Sequence, residues 1–266
     1  MMSRQKPKLA VHKFSSCDGC QLALLNLGEP LLQLPTLVDI VHFAEAGPSD
    51  PTAKVDISLV EGSISTPEDV QRIQQVRENS EILVTVGACA TAGGVQALAN
   101  FANRNDWMSA VYTDPDQIET LQTSNAIAEY VKVDWELQGC PINSRQVIGL
   151  LRDLLSGVRP REELQPVCME CKRKGLICTL VSLGEPCMGP VTRAGCGALC
   201  PAAGRGCYGC YGPAEQVNDA SLLQRFSQLG LDRQALARRF HFIVNQAPAF
   251  KAAGERLKSG SHDRNA

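Results

Sequence analysis

Short runs of Val, Ile and Leu recur along the first 157 residues, with helical patterns between most of them. The apolar runs predict five β-strands, at Lys8–Phe14, Val38–Phe43, Val55–Val60, Ile82–Val86 and Val131–Leu137. The helical patterns lie at Gln21–Leu34, with a break near Gly28 and Pro30, and at Thr66–Asn79, Ala90–Asn100 and Asn143–Ser156. Apolar strands that alternate with helices are typical of a parallel sheet covered on both faces.

The alternation stops after Gly157-Val158-Arg159-Pro160, where we place a domain boundary. Residues 168–210 hold eight of the twelve cysteines among Gly and Pro, with no helical or strand periodicity. Helical stretches return within Ala220–Val244, and Lys258–Ala266 is predicted to be a disordered tail. We therefore predict an α/β fold with a flavodoxin-like parallel sheet in residues 1–157 and an irregular, cysteine-rich iron-sulfur domain in residues 158–266.

Charge and composition argue against a nucleic-acid partner, and the N-terminal residues indicate the cellular compartment. A net charge of −2 and 5% aromatic residues give no footprint for nucleic acid. The first residues, MMSRQKPKLAVHKF, contain no apolar run of the kind found in a signal peptide. No stretch approaches the roughly 20 apolar residues of a membrane span. We therefore expect a cytoplasmic protein with no membrane span.

Twelve cysteines in 266 residues require an explanation, and three kinds of chemistry offer one. Disulfides would need an oxidising compartment, which the expected location argues against. Structural zinc uses sets of four ligands, often built from two CxxC pairs. Twelve thiols also divide into three sets of four, the number that one 4Fe-4S cluster needs. Iron-sulfur clusters are the favoured interpretation, and zinc and disulfides are the alternatives.

Four of the cysteines each follow a predicted strand: Cys17, Cys20, Cys89 and Cys140. The carboxyl ends of parallel strands meet at one edge of a sheet, where α/β proteins bind their ligands. The pattern therefore predicts one metal site there, with Gly19, Gly87 and Gly139 allowing a close approach of the backbone. The alternative for Cys89 and Cys140 is burial as small apolar side chains.

Charged and ring side chains near this edge have two interpretations each. Asp18 and Glu61 satisfy local amide groups, or they handle protons and tune a cluster. His12 and His42 lie on predicted strands, where packing or surface roles are favoured over metal ligation.

The eight remaining cysteines supply two further sets, whose membership the spacing leaves open. Grouping in chain order gives Cys168, Cys171, Cys178 and Cys187 for one set, and Cys196, Cys200, Cys207 and Cys210 for the other. However, Cys200 precedes Pro201, and a Cys-Pro cysteine in two-cluster ferredoxins binds the other cluster. An interleaved grouping is therefore the alternative.

Several motifs resemble those of the small subunits of nickel-iron hydrogenases: SSCDGCQ, VTVGACATAGG, LQGCP and CMGPVTRAGCGALCP with GCYGC. The resemblance covers Lys8 to about Pro213. Within this family, the chain is similar to the delta subunit of the NAD(P)-linked sulfhydrogenases. The resemblance implies that the first set holds a proximal 4Fe-4S cluster. It further implies a medial cluster on Cys196, Cys200, Cys207 and Cys210, and a distal cluster on Cys168, Cys171, Cys178 and Cys187.

The resemblance also implies partners and redox properties. Electrons would pass between a nickel-iron large subunit and flavin/NAD(P)-binding and ferredoxin-like subunits, and the chain itself would not carry the hydrogen chemistry. Membrane-bound relatives have a His where this chain has Cys168, and three cysteines at the medial site where this chain has four. Additional thiolate charge implies lower and more uniform potentials.

Four other interpretations compete with this one. A methanogen-type hydrogenase would deliver electrons to heterodisulfide reductase or deazaflavin. The related respiratory complex I subunit fits less well, because it has adjacent paired cysteines at the first site and lacks the second domain. A zinc-stabilised scaffold protein and a stand-alone ferredoxin-like carrier are the alternatives outside the hydrogenase class.

Overall fold

The computed structural model describes residues 6–43 and 45–259 of the 266-residue chain. They form two compact units, one ending at Pro160 and the other beginning at Arg161. Among the described residues, no helix is both long and apolar enough to cross a membrane.

The first unit is built on a five-stranded parallel sheet, which confirms the predicted architecture. The strands are β1 (Lys8–Lys13), β2 (Asp39–Phe43), β3 (Val55–Glu61), β4 (Ser80–Val86) and β5 (Trp135–Leu137). Their order across the sheet is β2-β1-β3-β4-β5. This is the flavodoxin-like order. The direction in which successive strands are added to the sheet reverses between β1 and β3.

Helices surround this sheet, and apolar side chains pack on both of its faces. The helices are α1 (Gly19–Leu25), α2 (Glu29–Leu37), α3 (Pro67–Glu78), α4 (Gly87–Ala92), α5 (Arg104–Val111) and α6 (Ser144–Leu155). On one face, Leu9 and Leu59 of the sheet lie in a cluster with Leu24 and Val147 of α1 and α6. A second cluster joins sheet residues such as Leu83 to Ile73 and Val76 of α3. The two faces are covered as the alternating pattern predicts.

Two predicted elements of the first unit are wrong in extent. The predicted strand Val131–Leu137 is reduced to β5, because the N–H of Val131 bonds to Ile127 O in a turn at 3.2 Å. The predicted helix Ala90–Asn100 is divided at Gly93, which has a φ of 73° and ends α4. A short 3-10 helix, Val95–Phe101, then follows. The predicted break near Gly28 is confirmed, since α1 and α2 are separate helices.

The second unit contains only helices, turns and isolated bridges among its described residues. Its helices are α7 (Val167–Arg173), α8 (Thr179–Ser182), α9 (Leu199–Ala202), α10 (Asp219–Gln228), α11 (Arg233–Phe240) and α12 (Pro248–Ser259). The three short helices α7, α8 and α9 belong to the cysteine-rich stretch. Phe240 and Phe250 are fully buried and meet edge to face, with ring centroids 5.6 Å apart.

The end of the chain differs from the sequence prediction. Helix α12 lies beyond the predicted helical stretch, so the sequence pattern does not reveal it. Lys258 and Ser259, which the pattern assigns to a disordered tail, are its last two residues. The remainder of that predicted tail lies outside the described residues.

Candidate metal centres

Topology brings the first four cysteines to one edge of the sheet. Cys17 and Cys20 lie after β1, Cys89 lies in α4 directly after β4, and Cys140 follows β5. Burial raises the pKa of Cys20, and the nearby Cys89 and Cys140 thiols raise it further. Burial, with smaller contributions from Cys140 and Cys17, raises the pKa of Cys89 to about 11. The four thiols therefore share one electrostatic environment, as the strand-end argument predicts.

At Gly87 the backbone comes very close to a thiol. This residue links β4 to α4 with a φ of +87°, and a Cβ placed on it would lie 2.4 Å from Cys20 Sγ. Such a distance is far below van der Waals contact. A side chain at this position would therefore displace the Cys20 thiol.

The buried carboxylate of Glu61 lies against the same set. Its two oxygens accept the backbone N–H groups of Cys20 at 3.0 Å and Gln21 at 3.2 Å. Its charge also contributes to the raised pKa values of Cys20, Cys89 and Cys140. Glu61 thus fixes the start of α1 and adds negative charge beside the thiols.

Asp18 has a local role. Its carboxylate pairs with Lys13 Nζ at 2.7 Å and accepts the Ser16 hydroxyl at 3.1 Å. Its backbone is left-handed, with a φ of 63°, which Asp tolerates better than most residues. Asp18 therefore occupies a turn position as expected, but its carboxylate bonds to Lys13 and Ser16 and does not cap the amide groups of α1.

His12 and His42 are packed inside the first unit. Both are buried, and their rings lie against each other at an angle of 33° with centroids 4.7 Å apart. Burial lowers both pKa values, that of His12 to about 3. Neither is among the neighbours that shift the pKa values of the thiols.

Gln96 is a site residue that the sequence does not reveal. Its Oε1 accepts the Cys89 thiol at 3.5 Å, and its Nε2 donates to Ser15 O at 2.7 Å. The side chain therefore links the Cys89 loop to the segment that precedes Cys17. No sequence signal marks this residue, because it lies in an ordinary 3-10 turn.

In the second unit, the set in chain order from Cys168 is brought together. Burial, with smaller contributions from Cys187, Cys171 and Cys178, raises the pKa of Cys168 to about 11. Cys196 of the other set also contributes to the raised pKa of Cys171. Cys168 and Cys171 lie on α7, whereas Cys178 lies just before α8. Cys178 is exposed and Cys187 is buried.

Among the last four cysteines, neighbouring thiols contribute to two of the pKa values. Cys200 adds to the raised pKa of Cys196, and Cys210 adds to that of Cys207. Desolvation by burial is the main cause of the shift in both.

The two sets of the second unit also adjoin each other. The N–H of Cys207 donates to Cys187 Sγ at 3.2 Å, and the N–H of Met188 donates to Cys207 O at 3.0 Å. A Cβ on Gly206 would lie 2.2 Å from Pro186 O, so these two segments are in direct backbone contact. One thiol of each set therefore lies along this contact.

The donor chemistry of the three sets is thiol sulfur. All twelve cysteines are free thiols, so the disulfide interpretation is not supported. Among residues 6–43 and 45–259, no three His, Cys, Asp or Glu side chains are arranged to hold a single metal ion. Four thiols per set match the four thiolate ligands of a 4Fe-4S cluster. At the first set, the absence of a side chain at Gly87 lets the Cys20 thiol lie directly against the backbone at the end of β4.

Comparison with known proteins identifies similar chains. Residues 17–154 match the family described as NADH ubiquinone oxidoreductase, 20 Kd subunit. The sulfhydrogenase 2 subunit delta of Pyrococcus furiosus is 35% identical, over 85% of this chain and 95% of its own. A vhu subunit of the F420-non-reducing hydrogenase of Methanocaldococcus jannaschii is 31% identical, over 88% of this chain and 94% of its own.

A solved structure shows a similar fold. A chain of an NAD+-reducing NiFe hydrogenase in the H2-reduced state superposes with a TM-score of 0.56 and 28% identity. The match covers 59% of this chain and 96% of that chain.

Proposed function

The chain belongs to the NADH ubiquinone oxidoreductase 20 Kd subunit family and to the small subunits of nickel-iron hydrogenases within it, and we propose that it relays electrons through three 4Fe-4S clusters. The relay would run between the nickel-iron site of a large subunit and a flavin/NAD(P) diaphorase module. One observation carries the proposal: four thiols from three separate segments of the chain meet at the carboxyl edge of the sheet.

Each cluster is proposed to have four cysteine ligands. Cys17, Cys20, Cys89 and Cys140 would hold the proximal cluster. Cys196, Cys200, Cys207 and Cys210 would hold the medial cluster, and Cys168, Cys171, Cys178 and Cys187 the distal one. The grouping of Cys168 with Cys171, Cys178 and Cys187 is supported by the contribution of these three thiols to the raised pKa of Cys168. The contact between Cys207 and Cys187 supports placing the medial and distal clusters next to each other.

The residues around the thiols have tasks that follow from their contacts. A bound 4Fe-4S cluster accepts and releases one electron at a time. Burial of Cys20, Cys187 and Cys207 keeps water away from one sulfur in each set. The Gly209 N–H donates to Cys207 Sγ at 3.4 Å, and such N–H···S bonds tune reduction potentials. The chain thus seats and tunes its cofactors through backbone groups as well as through ligands.

Hydrogen chemistry is proposed to take place on another polypeptide. The relatives with this fold are hydrogenase subunits, so the chain is a component of an oxidoreductase. All twelve cysteines are used by the three proposed clusters, which leaves no thiol pair for nickel. We therefore infer a nickel-iron large subunit that covers the cluster edge of the first unit.

The electron acceptor is proposed to be NAD(P), reached through a flavin subunit and a ferredoxin-like subunit in the cytoplasm. Similarity to the sulfhydrogenase delta subunit and to a chain of the NAD+-reducing enzyme supports this choice. Similarity to the vhu subunit of the F420-non-reducing hydrogenase, at 31% identity, favours a second candidate, in which the electrons leave through a different acceptor module.

Anaerobic purification of the chain with its native partners tests the assembly. A tagged chain is expected to bring down a nickel-containing large subunit and a flavin subunit, and the complex is expected to reduce NAD+ or NADP+ with H2. Omitting the tag gives the matched control. A complex that contains nickel but no flavin, and reduces neither nucleotide, would favour the second candidate. A chain that purifies alone without nickel would overturn the hydrogenase assembly.

A further inference from the structure

Glu170 reaches from one cysteine set to the loop that carries a cysteine of the next. It lies between Cys168 and Cys171 on α7, and its carboxylate contacts the loop of residues 195–198. The carboxylate oxygens accept three backbone N–H groups of this loop, from Gly195 at 3.0 Å, Gly197 at 3.1 Å and Ala198 at 2.9 Å. One side chain therefore satisfies most of the N–H groups of the loop.

The loop has the backbone geometry of an anion-binding concavity. Gly197 and Ala198 are both left-handed, with φ values of 70° and 53°, and Ala198 is fully buried. Such turns aim successive N–H groups at one point, where they bind an anion. The anion here is the carboxylate of Glu170, supplied by the same chain.

A second side chain of the same segment binds the loop through a carbonyl. Lys174, directly after α7, donates from Nζ to Gly197 O at 2.5 Å. Glu170 accepts backbone N–H groups of the loop, and Lys174 donates to one of its carbonyl groups. The two side chains therefore bond to both the donors and an acceptor of the loop backbone. We call this pair the α7 clamp.

The clamp places a negative charge beside Cys196. Cys196 Sγ lies 3.8 Å from Glu170 Oε2. We infer that Glu170 is a positioning residue, which holds Cys196 for the medial cluster and lowers the reduction potential of that cluster. This inference rests on the proposed function. Its physical cause is that a fixed negative charge disfavours an added electron nearby.

The variant Glu170→Gln separates charge from shape. It removes the negative charge and keeps a side chain of nearly the same size, whose amide oxygen can accept the Gly195 and Gly197 N–H groups while the amide nitrogen replaces the oxygen that accepts the Ala198 N–H. In the anaerobically purified hydrogenase complex, potentiometric EPR is expected to show the largest shift to a higher potential in the medial cluster, a smaller shift in the cluster of Cys168 and Cys171, which flank Glu170, and unchanged iron content. Glu255→Gln removes the same charge from an exposed position on α12 and is expected to leave all potentials unchanged.

The variant Glu170→Ala tests the positioning role by removing every acceptor. It is expected to lose about one third of the iron carried by this chain, which is one cluster of three, and to keep the proximal cluster signal. Unchanged cluster potentials in Glu170→Gln would overturn the claim that Glu170 lowers the reduction potential. Full iron content in Glu170→Ala would overturn the claim that Glu170 holds Cys196 in position. The wild-type complex reports separately on the proposed function, since absence of three clusters there would remove the basis of both.

Discussion

At the scale of single residues, the absence of a side chain at Gly87 leaves room for the Cys20 thiol of the first set. A methyl group there would meet Cys20 Sγ at 2.4 Å and force the thiol out of place. Gly87→Ala is therefore expected to lose the proximal cluster, about four irons of the roughly twelve expected. Iron analysis and EPR of the anaerobically purified complex measure this loss.

Gly157→Ala is the matched control for that substitution. Gly157 also has a positive φ, +66°, but nothing lies within 4 Å of an added Cβ. The two variants share the backbone strain of about 1–2 kcal/mol and differ in the clash. Equal iron contents in Gly87→Ala and Gly157→Ala would show that the contact with Cys20 is unimportant.

Ligand candidates could be found from the sequence, whereas their supporting residues could not. Each first-set cysteine follows a strand, and parallel topology alone brings strand ends together. Gln96 and Glu170 have no such signal. Gln96 bonds to a residue 81 positions away, and Glu170 bonds to a loop 25 to 28 positions away. Contacts of this kind depend on how loops pack, which no periodicity encodes.

At the scale of elements, the pairing of β1 with β2 places His12 against His42. Burial, together with the nearby His42 and Arg72, lowers the pKa of His12 to about 3. The pKa of His42 is also lowered, by burial and by Arg72, although Asp50 opposes the shift. Both imidazoles are therefore neutral in the native protein near neutral pH.

Stability should therefore decline in mild acid. An unfolded histidine binds a proton below about pH 6.5, but the native His12 resists protonation down to about pH 3. The contribution of neutral His12 to the free energy of unfolding is fully present above pH 6.5. It is lost as the pH falls, by up to about 1.4 kcal/mol per pH unit. Thermal melts between pH 7.5 and 5.5 are expected to shift less in His12→Asn than in the wild type. Parallel shifts in the two proteins would contradict the assignment.

Element boundaries show where sequence patterns suffice. Thr66 and Pro67 predict the start of α3, and the structure confirms it: Thr66 Oγ1 accepts the Asp69 N–H, while the Asp69 carboxylate accepts the Thr66 N–H. The fifth strand is predicted too long. Val131 and Val133 pack against the core as strand residues would, but the chain there is turned and lies outside a strand. Apolar spacing therefore reports burial more reliably than backbone conformation.

At the scale of the whole molecule, charge is divided between the two parts of the sequence. Residues 1–160 contain 12 Lys and Arg against 19 Asp and Glu, whereas residues 161–266 contain 14 against 9. The part with two proposed clusters is therefore the positively charged one. Thiolate-ligated clusters add negative charge, which an excess of cations offsets. This division is consistent with two cysteine sets in the second unit.

The number and type of clusters is the central claim, and one measurement tests it most directly. Iron and sulfide analysis, combined with EPR and Mössbauer spectra, is applied to the anaerobically purified wild-type complex, with iron carried by other subunits subtracted. The account predicts about twelve irons on this chain, all in 4Fe-4S clusters, with no high-potential 3Fe-4S signal. A colourless chain that binds zinc, or a chain with a 3Fe-4S signal and fewer irons, would contradict it.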